Sequence, residues 1–229
     1  MSAVYAAVKR VIDFLVALVA LIILTPILIP VVIALRLTGE GEIFYRQKRV
    51  GYKNSQFDIL KFATMLKNSP NIGTGSLTVR GDPRVTPVGK YLRSSKVNEL
   101  PQLVNVLKGD MSFVGPRPQM QVDYDIYPDH VRETIYDARP GVTGIGSIIF
   151  RDEERLLSAP GVDPRKFYED KIAPYKGELE MWYLKRQSVV TDLRLMFLTV
   201  WVVLRPGSSI IYRTFPDLPE RPEWLRPEA

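Results

Sequence analysis

"VIDFLVALVALIILTPILIPVVIAL", residues 11–35, decides how this chain is built. A run of 18 or more apolar residues is the mark of a membrane helix. A signal peptide is the weaker reading, because the run outlasts an h-region and no small-residue cleavage site stands before "LRLTGEGE". Two prolines argue against a straight span. Pro26 and Pro30 each remove a backbone donor and clash with the carbonyl one turn back. Thr25 can bond the freed backbone locally, which makes a kink tolerable in lipid. The first arm, 11–24, is then about 21 Å long at the helical rise, short of the roughly 30 Å hydrocarbon core. Charge points the same way. Lys9 and Arg10 precede the run, and Arg36, Arg46, Lys48 and Arg49 follow it. Cationic flanks prefer the cytoplasmic face. A helix that enters, turns at Thr25–Pro26 and leaves on the same side is the expectation, with a single span as the alternative. Asp13 is close enough to the interface to stay hydrated or to pair with Arg10.

Beyond this segment the composition is that of a folded core, 46% hydrophobic and 24% charged in 229 residues. The formal charge of +6 favours anionic partners: phosphate esters, nucleic acid or an acidic lipid surface. Nucleic acid is the weak member of that set, since no nucleic-acid motif is present and the cations cluster beside the apolar run. With no cysteine, disulfides and thiolate zinc sites are excluded. The single histidine, His130, lies in "YPDHVRET", a polar helix start that reads as surface.

Working outward, "EIFYRQKRV" and "QFDILKF" flank "GYKNS" and predict a β-hairpin with a five-residue loop. "LKNSPNIGTGSLTVRGDP" reads as a mobile loop. "RVTPVGKYLRSSK" is a short helix with Lys90, Arg93 and Lys96 on a basic face. "ARPGVTGIGSIIFRDEERLL" carries Gly141, Gly144 and Gly146 and suggests a loop passing close to a ligand or another backbone. "FYEDKIAPYKGELEMWYLKRQ" reads as two helical pieces broken at Pro174. "SVVTDLRLMFLTVWVVLRPG" is a core helix or one lying in the membrane interface, anchored by Trp201. The tail "PDLPERPEWLRPEA" is Pro-rich and reads as extended. No internal repeat is present.

The chemistry sits in the middle. "NELPQLVNVLKG" predicts a compact helix with Asn98 as N-cap, Pro101 in the first turn, Lys108 in the last and Gly109 as the stop. A carboxylate at such a start, Glu99, has its ionised form favoured, which suits a metal ligand or nucleophile. In "KGDMSFVGPRP", Arg117 between two prolines is a guanidinium on a stiff stem, suited to bidentate phosphate recognition. Lys61, Arg93 and Arg139 add cations. Residue chemistry alone yields a membrane-attached protein with a basic site for phosphate esters.

The run "NELPQLVNVLKGDMSFVGPRP", with "FYRQKRVGY", "FDILKFATM", "DPRVTPVGKYLR", "RPGVTG" and "WYLKRQSVVTDLRLMFLT", resembles the small monotopic bacterial sugar transferases, the polyprenyl-phosphate phosphoglycosyl transferases. The resemblance covers nearly the whole chain. It implies an α+β, mostly helical fold: a re-entrant helix hairpin over 1–38, a small β-hairpin and a compact cytosolic helical catalytic domain with interfacial helices over 39–210, and a Pro-rich tail over 211–229. It implies transfer of a sugar 1-phosphate from a nucleotide diphosphate sugar, usually a UDP-sugar, to undecaprenyl phosphate, with release of UMP, as the first membrane step of O-antigen, capsule, exopolysaccharide or glycoprotein glycan synthesis. Mg²⁺ as cofactor, Glu99 as its ligand, and Lys61, Arg93, Arg117 and Arg139 as phosphate-binding cations follow from it. So does placement on the cytosolic face of the bacterial inner membrane, with a homodimer allowed.

The sequence departs from the family at its usual nucleophile. An Asp of an Asp–Glu pair commonly attacks the β-phosphate; here that position is Asn98. Three readings stand. Glu99 or another acid, among Asp110, Asp152 and Glu153, takes the role; or the lipid phosphate attacks directly; or the chain binds nucleotide sugar or polyprenyl phosphate without turnover. Ala63 replaces a common Arg. "IGSIIFRDEE" replaces "LAQINGR" and places Arg151, Asp152, Glu153 and Glu154 in a loop that alters sugar choice, supplies the missing acid, or is a solvated charge cluster. Glu180 stands where Asp is common, and nearby Tyr183 reads as core.

Overall fold

The computed structural model describes residues 3–73, 76–205 and 208–225. The chain is mostly helical, with one long apolar helix and two small sheets. Helix α1 runs from Ala3 to Leu37. It is not divided into two helices at Thr25–Pro26: the helical backbone continues through Pro26 and Pro30. Thr25 Oγ1 donates to the carbonyl of Leu21 at 2.7 Å, one residue before Ile22, whose carbonyl loses its usual amide partner to Pro26.

Both ends of α1 grip the same body. Near its start, Arg10 donates to the carbonyls of Val106 and Leu107, at 2.6 and 2.7 Å. Asp13 is buried and accepts the amide of Phe113 at 3.1 Å, so it neither faces water nor pairs with Arg10. Asp192 collects three donors, Tyr5 (2.8 Å), Lys9 (2.5 Å) and Tyr183 (2.8 Å). Midway, Ala17 is enclosed with Ile59, Leu103, Val106 and Met111. At the far end Leu35 packs with Phe62 and Leu92. The outward face, with Ile22, Ile23, Ile27 and Ile29, stays exposed. Only 6% of the most apolar 18-residue window is buried, although the helix is long enough to cross a membrane.

Strands β1 (Phe44–Val50) and β2 (Gln56–Phe62) form the expected antiparallel hairpin, Phe44 opposite Phe62 and Val50 opposite Gln56. The following segment is largely irregular, but it is not a free loop. Arg84 is buried within it, donating to Asp82 and to the carbonyls of Ser69, Ile72 and Leu77. Helix α2 (Pro87–Ser94) is capped by Thr86, whose hydroxyl accepts from the amide of Gly89. A 3₁₀ turn, Val97–Glu99, then leads into helix α3 (Gln102–Lys108). Asn98 is therefore not the N-cap; Pro101 is, and Gly109 ends the helix at φ 92°. The shift follows from Pro101, whose fixed φ suits the start of a helix and whose missing N–H is tolerated only there.

Strand β3 (Ser112–Val114) pairs in parallel with β4 (Gly141–Thr143), with the short helices α4 (Gln121–Tyr124) and α5 (Asp129–Arg132) between them. His130 is exposed on α5. Gly141 and Gly144 meet backbone, a Cβ at Gly141 falling 2.2 Å from the amide nitrogen of Gly115, while Gly146 meets the side chain of Glu180. Helices α6 (Ile145–Ile149), α7 (Glu153–Leu157) and α8 (Pro164–Phe167) follow, and a π-turn over Tyr168–Ile172 joins α8 to α9 (Ala173–Lys185). Pro174 does not break the helical path; it sits in the first turn of α9, where its missing N–H costs nothing. Helix α10 (Val189–Leu204) buries Leu195, Leu198 and Val202 and exposes Val190, Leu193, Phe197, Val200 and Leu204. Tyr183 is core, as expected. The tail as far as Leu225 is not a free extended strand, and residues 226–229 lie outside the described residues. After α11 (Ile210–Thr214), Phe215 stacks edge-on against Trp182, and Trp224 joins Phe150, Phe167 and Tyr175.

Candidate active site

Three sequence-predicted groups meet. Glu99, in the 3₁₀ turn, receives Arg117 Nη2 on Oε1 at 2.6 Å and Arg117 Nη1 on Oε2 at 3.4 Å. Lys61, near the end of β2, reaches the same Oε1 at 3.3 Å. Hairpin, turn and the loop after β3 each contribute one member. The hairpin is tied to α3 by Asn105, which accepts the amide of Leu60 and donates to the carbonyl of Asp58, both at 2.9 Å.

The electrostatics are those of a preformed anion site. Burial works to raise the Glu99 pKa, but the charges of Arg117 and Lys61 outweigh it and hold the carboxyl well below its ordinary range. Glu99 in turn keeps Arg117 firmly protonated. Burial pushes the Lys61 ammonium down to about 7, against the pull of Glu99. A cation that titrates there is fully charged below neutrality and lost as pH rises. The KM for a phosphate-ester substrate is therefore expected to climb as pH rises through 7 and beyond. Lys61→Arg, cationic throughout, should flatten that climb in initial-rate measurements. An unchanged pH dependence in the variant would remove Lys61 from the site.

Two cations that the sequence reading left out of the site also lie here. Arg49 donates to Gln47 and to the carbonyl of Pro118, and burial lowers its pKa, with Arg117 as the next cause. The signal was present: Arg49 falls on the half-buried alternation of β1. Lys96 sits at φ 60° before Glu99, its pKa also lowered by burial. Nothing in the sequence marks that left-handed residue.

Most other predicted residues have partners of their own, with Glu153 in electrostatic reach of Arg117, and Arg93 and Glu154 in reach of Lys96. Arg93 is paired with Glu154 at 2.6 Å. Arg139 donates to the carbonyl of Gly109 and lies over the ring of Tyr52. Asp152 binds Arg80 at 3.0 Å, and Glu153 pairs with Lys176, which is flanked by Phe150 and Tyr168. Arg151 has a buried Nε without a partner. Asp110 is bonded by Asn105 at 3.2 Å.

Asn98 is buried, and its Oδ1 has no partner. One turn on, Gln102 is buried with both amide atoms unpartnered. Among the described residues no group of three His, Cys, Asp or Glu converges to hold a metal. Mg²⁺ is often held by one or two carboxylates, with water and substrate phosphates completing the shell. The Glu99 carboxylate and the orphaned oxygen of its neighbour Asn98 fit that minimal donor set.

The bacterial sugar transferase family matches residues 4–206. The chain is 33% identical over 205 residues to the UDP-N-acetylgalactosamine-undecaprenyl-phosphate N-acetylgalactosaminephosphotransferase of Aeromonas hydrophila, covering 89% of this chain and 45% of that protein. It is 32% identical over 215 residues to the exopolysaccharide production protein ExoY of Sinorhizobium fredii, covering 88% and 87%. It is 36% identical over 214 residues to the UDP-glucose:undecaprenyl-phosphate glucose-1-phosphate transferase of Caulobacter vibrioides, covering 92% and 69%. The chain thus spans less than half of the Aeromonas relative and most of ExoY.

Proposed function

The chain belongs to the bacterial sugar transferase family, and on that premise we propose that it moves a sugar 1-phosphate from a UDP-sugar to undecaprenyl phosphate, releasing UMP, to start a surface glycan. The observation that carries this reading is the Lys61–Glu99–Arg117 cluster. Two cations fixed by a common carboxylate are set in advance for a diphosphate and cost little reorganisation when charge shifts in the transition state. The relatives in Aeromonas and Caulobacter are named for UDP-sugars and undecaprenyl phosphate, which supports both substrates.

Glu99 and Asn98 Oδ1 are the residues that would hold Mg²⁺. When bound, the ion supplies charge neutralisation at the diphosphate. Asn98 offers an amide, not a carboxylate; Glu99 is held by Lys61 and Arg117, and the acids Asp110, Asp152 and Glu153 each have a partner of their own. Transfer is therefore a single displacement. An acceptor phosphate oxygen bonds to the β-phosphorus as the bond to the bridging oxygen breaks, and UMP leaves with that electron pair. Arg117 and Lys61 hold the phosphates in line meanwhile.

The test is UMP release from a panel of UDP-sugars by protein in vesicles, with and without undecaprenyl phosphate. Release is expected only with the lipid, and no phosphosugar mass is expected on the protein in its absence. A stoichiometric burst of UMP without lipid, or a covalent adduct, would sink the single displacement. No release from any sugar with lipid present would sink the transferase reading.

The same reading places α1 in the cytoplasmic leaflet of the inner membrane, entering and leaving on the cytosolic side. Its support is that both ends of the helix are held by one globular body. Helix α10 also exposes an apolar face, Val190, Leu193, Phe197, Val200 and Leu204, of the kind that lies in a membrane interface. Since the chain has no cysteine, single-cysteine variants at Val4 and Leu37 report cleanly. An impermeant maleimide should label both only from the cytosolic side, and labelling of the two from opposite sides would reject this placement.

A further inference from the structure

Strand β2 has β1 on one side only. Along its other edge, alternate residues turn their N–H and C=O away from the ladder, and buried backbone groups need partners. Helix α3 supplies them through one side chain. Asn105 Oδ1 accepts the N–H of Leu60, and Nδ2 donates to the carbonyl of Asp58, both at 2.9 Å. A carboxamide carries the donor and the acceptor of a peptide, so Asn105 takes the place of a third strand over one repeat of the edge. Its other Nδ2 hydrogen goes to Asp110 Oδ2 at 3.2 Å. A carboxylate accepts and does not donate, so Asp110 fixes which way the carboxamide faces. Asn105 is 3% exposed, and all three of these bonds stay inside the protein.

This tie joins two members of the anion site. Leu60 directly precedes Lys61 in β2, and Glu99 lies in the turn that runs into α3. Lys61 Nζ and Glu99 Oε1 then meet at 3.3 Å. Helix α3 is itself anchored at its far end. Arg10 donates to the carbonyls of Val106 and Leu107, and Arg139 to that of Gly109. The helix is thus a fixed reference for the hairpin. Phe62 also packs with Leu92 and Val97 beside the turn, but apolar burial is non-directional and sets no register. The hydrogen bonds of Asn105 do.

We infer that Asn105 is a positioning residue: by bonding the β2 edge at Leu60 and Asp58 it sets the register of the hairpin on α3, and so holds the Lys61 ammonium against Glu99. The inference rests on the reading of Lys61 as a phosphate-binding group. Without the carboxamide the hairpin is free to slide on the helix, and a misplacement of about 1 Å can cost on the order of 10²-fold in rate.

The test uses the full chain in vesicles, with UMP release as readout and thermal melting as a check of folding. Asn105→Leu keeps the volume and removes all three bonds; kcat/KM is expected to fall on the order of 10²-fold. In a Lys61→Ala background the same change should add little, since it acts through Lys61. Val106→Ala, at the neighbouring buried position of α3, loosens the helix without touching the tie. It should keep most of its kcat/KM even where its Tm falls as far as that of Asn105→Leu. Wild-type kcat/KM in folded Asn105→Leu, losses that multiply with Lys61→Ala, or an equal loss in Val106→Ala would each overturn the inference. Where Asn105→Leu does not fold, Asn105→Ala decides by the same comparisons, because it leaves room for water at the two strand groups and favours the helix. Full activity in Lys61→Ala alone would sink the reading of the site and the inference with it, whereas multiplying losses in an enzyme that needs Lys61 sink the tie alone.

Discussion

Glu99→Gln is expected to lower UMP release by roughly 10³-fold, at the upper end of what losing one preorganised polar group costs. The argument starts from charge. Glu99 is the common partner of Lys61 and Arg117, and it stays ionised because their combined field overcomes its burial. A neutral amide leaves two cations facing each other in a mostly dry site. Lys61, whose ammonium is already weakened by burial, then loses the one neighbour holding its proton, and Arg117 keeps only one of the two oxygens that orient it. The donor diphosphate would meet a site with one fixed cation fewer and a looser geometry. The loss should appear in kcat/KM, because ground-state and transition-state contacts go together. It should also appear in stability, since stranding a buried charge costs about 3–5 kcal/mol. Steady-state rates on protein checked by melting separate the two. A folded variant that keeps most of its rate would place the chemistry elsewhere.

The second large effect lies away from the chemistry. Arg84→Ala should destabilise the fold by about 3–5 kcal/mol, or roughly 6–20 °C in Tm for a chain of this size. Arg84 and Asp82 are both nearly fully buried. Asp82 is held below its ordinary pKa chiefly by its hydrogen bond from Arg84. The guanidinium also satisfies carbonyls at 69, 72 and 77, at 3.1, 3.0 and 2.8 Å. Its removal takes the paired charge from one buried carboxylate and a donor from three carbonyls at once. Replacing Asp82 and Arg84 together with Leu and Met should recover part of the loss, because an unpaired buried charge costs more than an apolar pair. Differential scanning calorimetry on the two variants measures both. An Arg84→Ala midpoint within a degree or two of the parent would mean that the segment contributes little to the fold.

That segment shows where sequence reading stopped. Its Gly, Ser, Thr and Asn content marks it as irregular, and it is irregular. Composition does not tell that one arginine turns inward to organise it. The hairpin was legible because period-two alternation is local. The Lys61–Glu99–Arg117 cluster was legible as residue types, though not as an assembly, since three separate elements bring it together. The start of α3 was misplaced because Asn98 is a good cap by type, while Pro101 fixes the helix start three residues later. Asp13 was assigned to the interface because its partner, the amide of Phe113, is a hundred residues away. Arg139 carries the right charge but is spent on Gly109 and Tyr52. The tail looked extended from its prolines. Its aromatic residues, Phe215 and Trp224, decide its path instead.

Asp192 collects the first turns of α1, through Tyr5 and Lys9, and α9, through Tyr183, whose hydroxyl also reaches Val114 just ahead of the arginine loop. A shortened protein beginning after residue 37 would therefore not be a water-soluble enzyme freed of its greasy handle. It would expose the surfaces that Ala17 and Leu35 now cover and leave an acid without its lysine. Purification has to keep the handle and its amphiphile, because this catalyst is built with the membrane part as one of its walls.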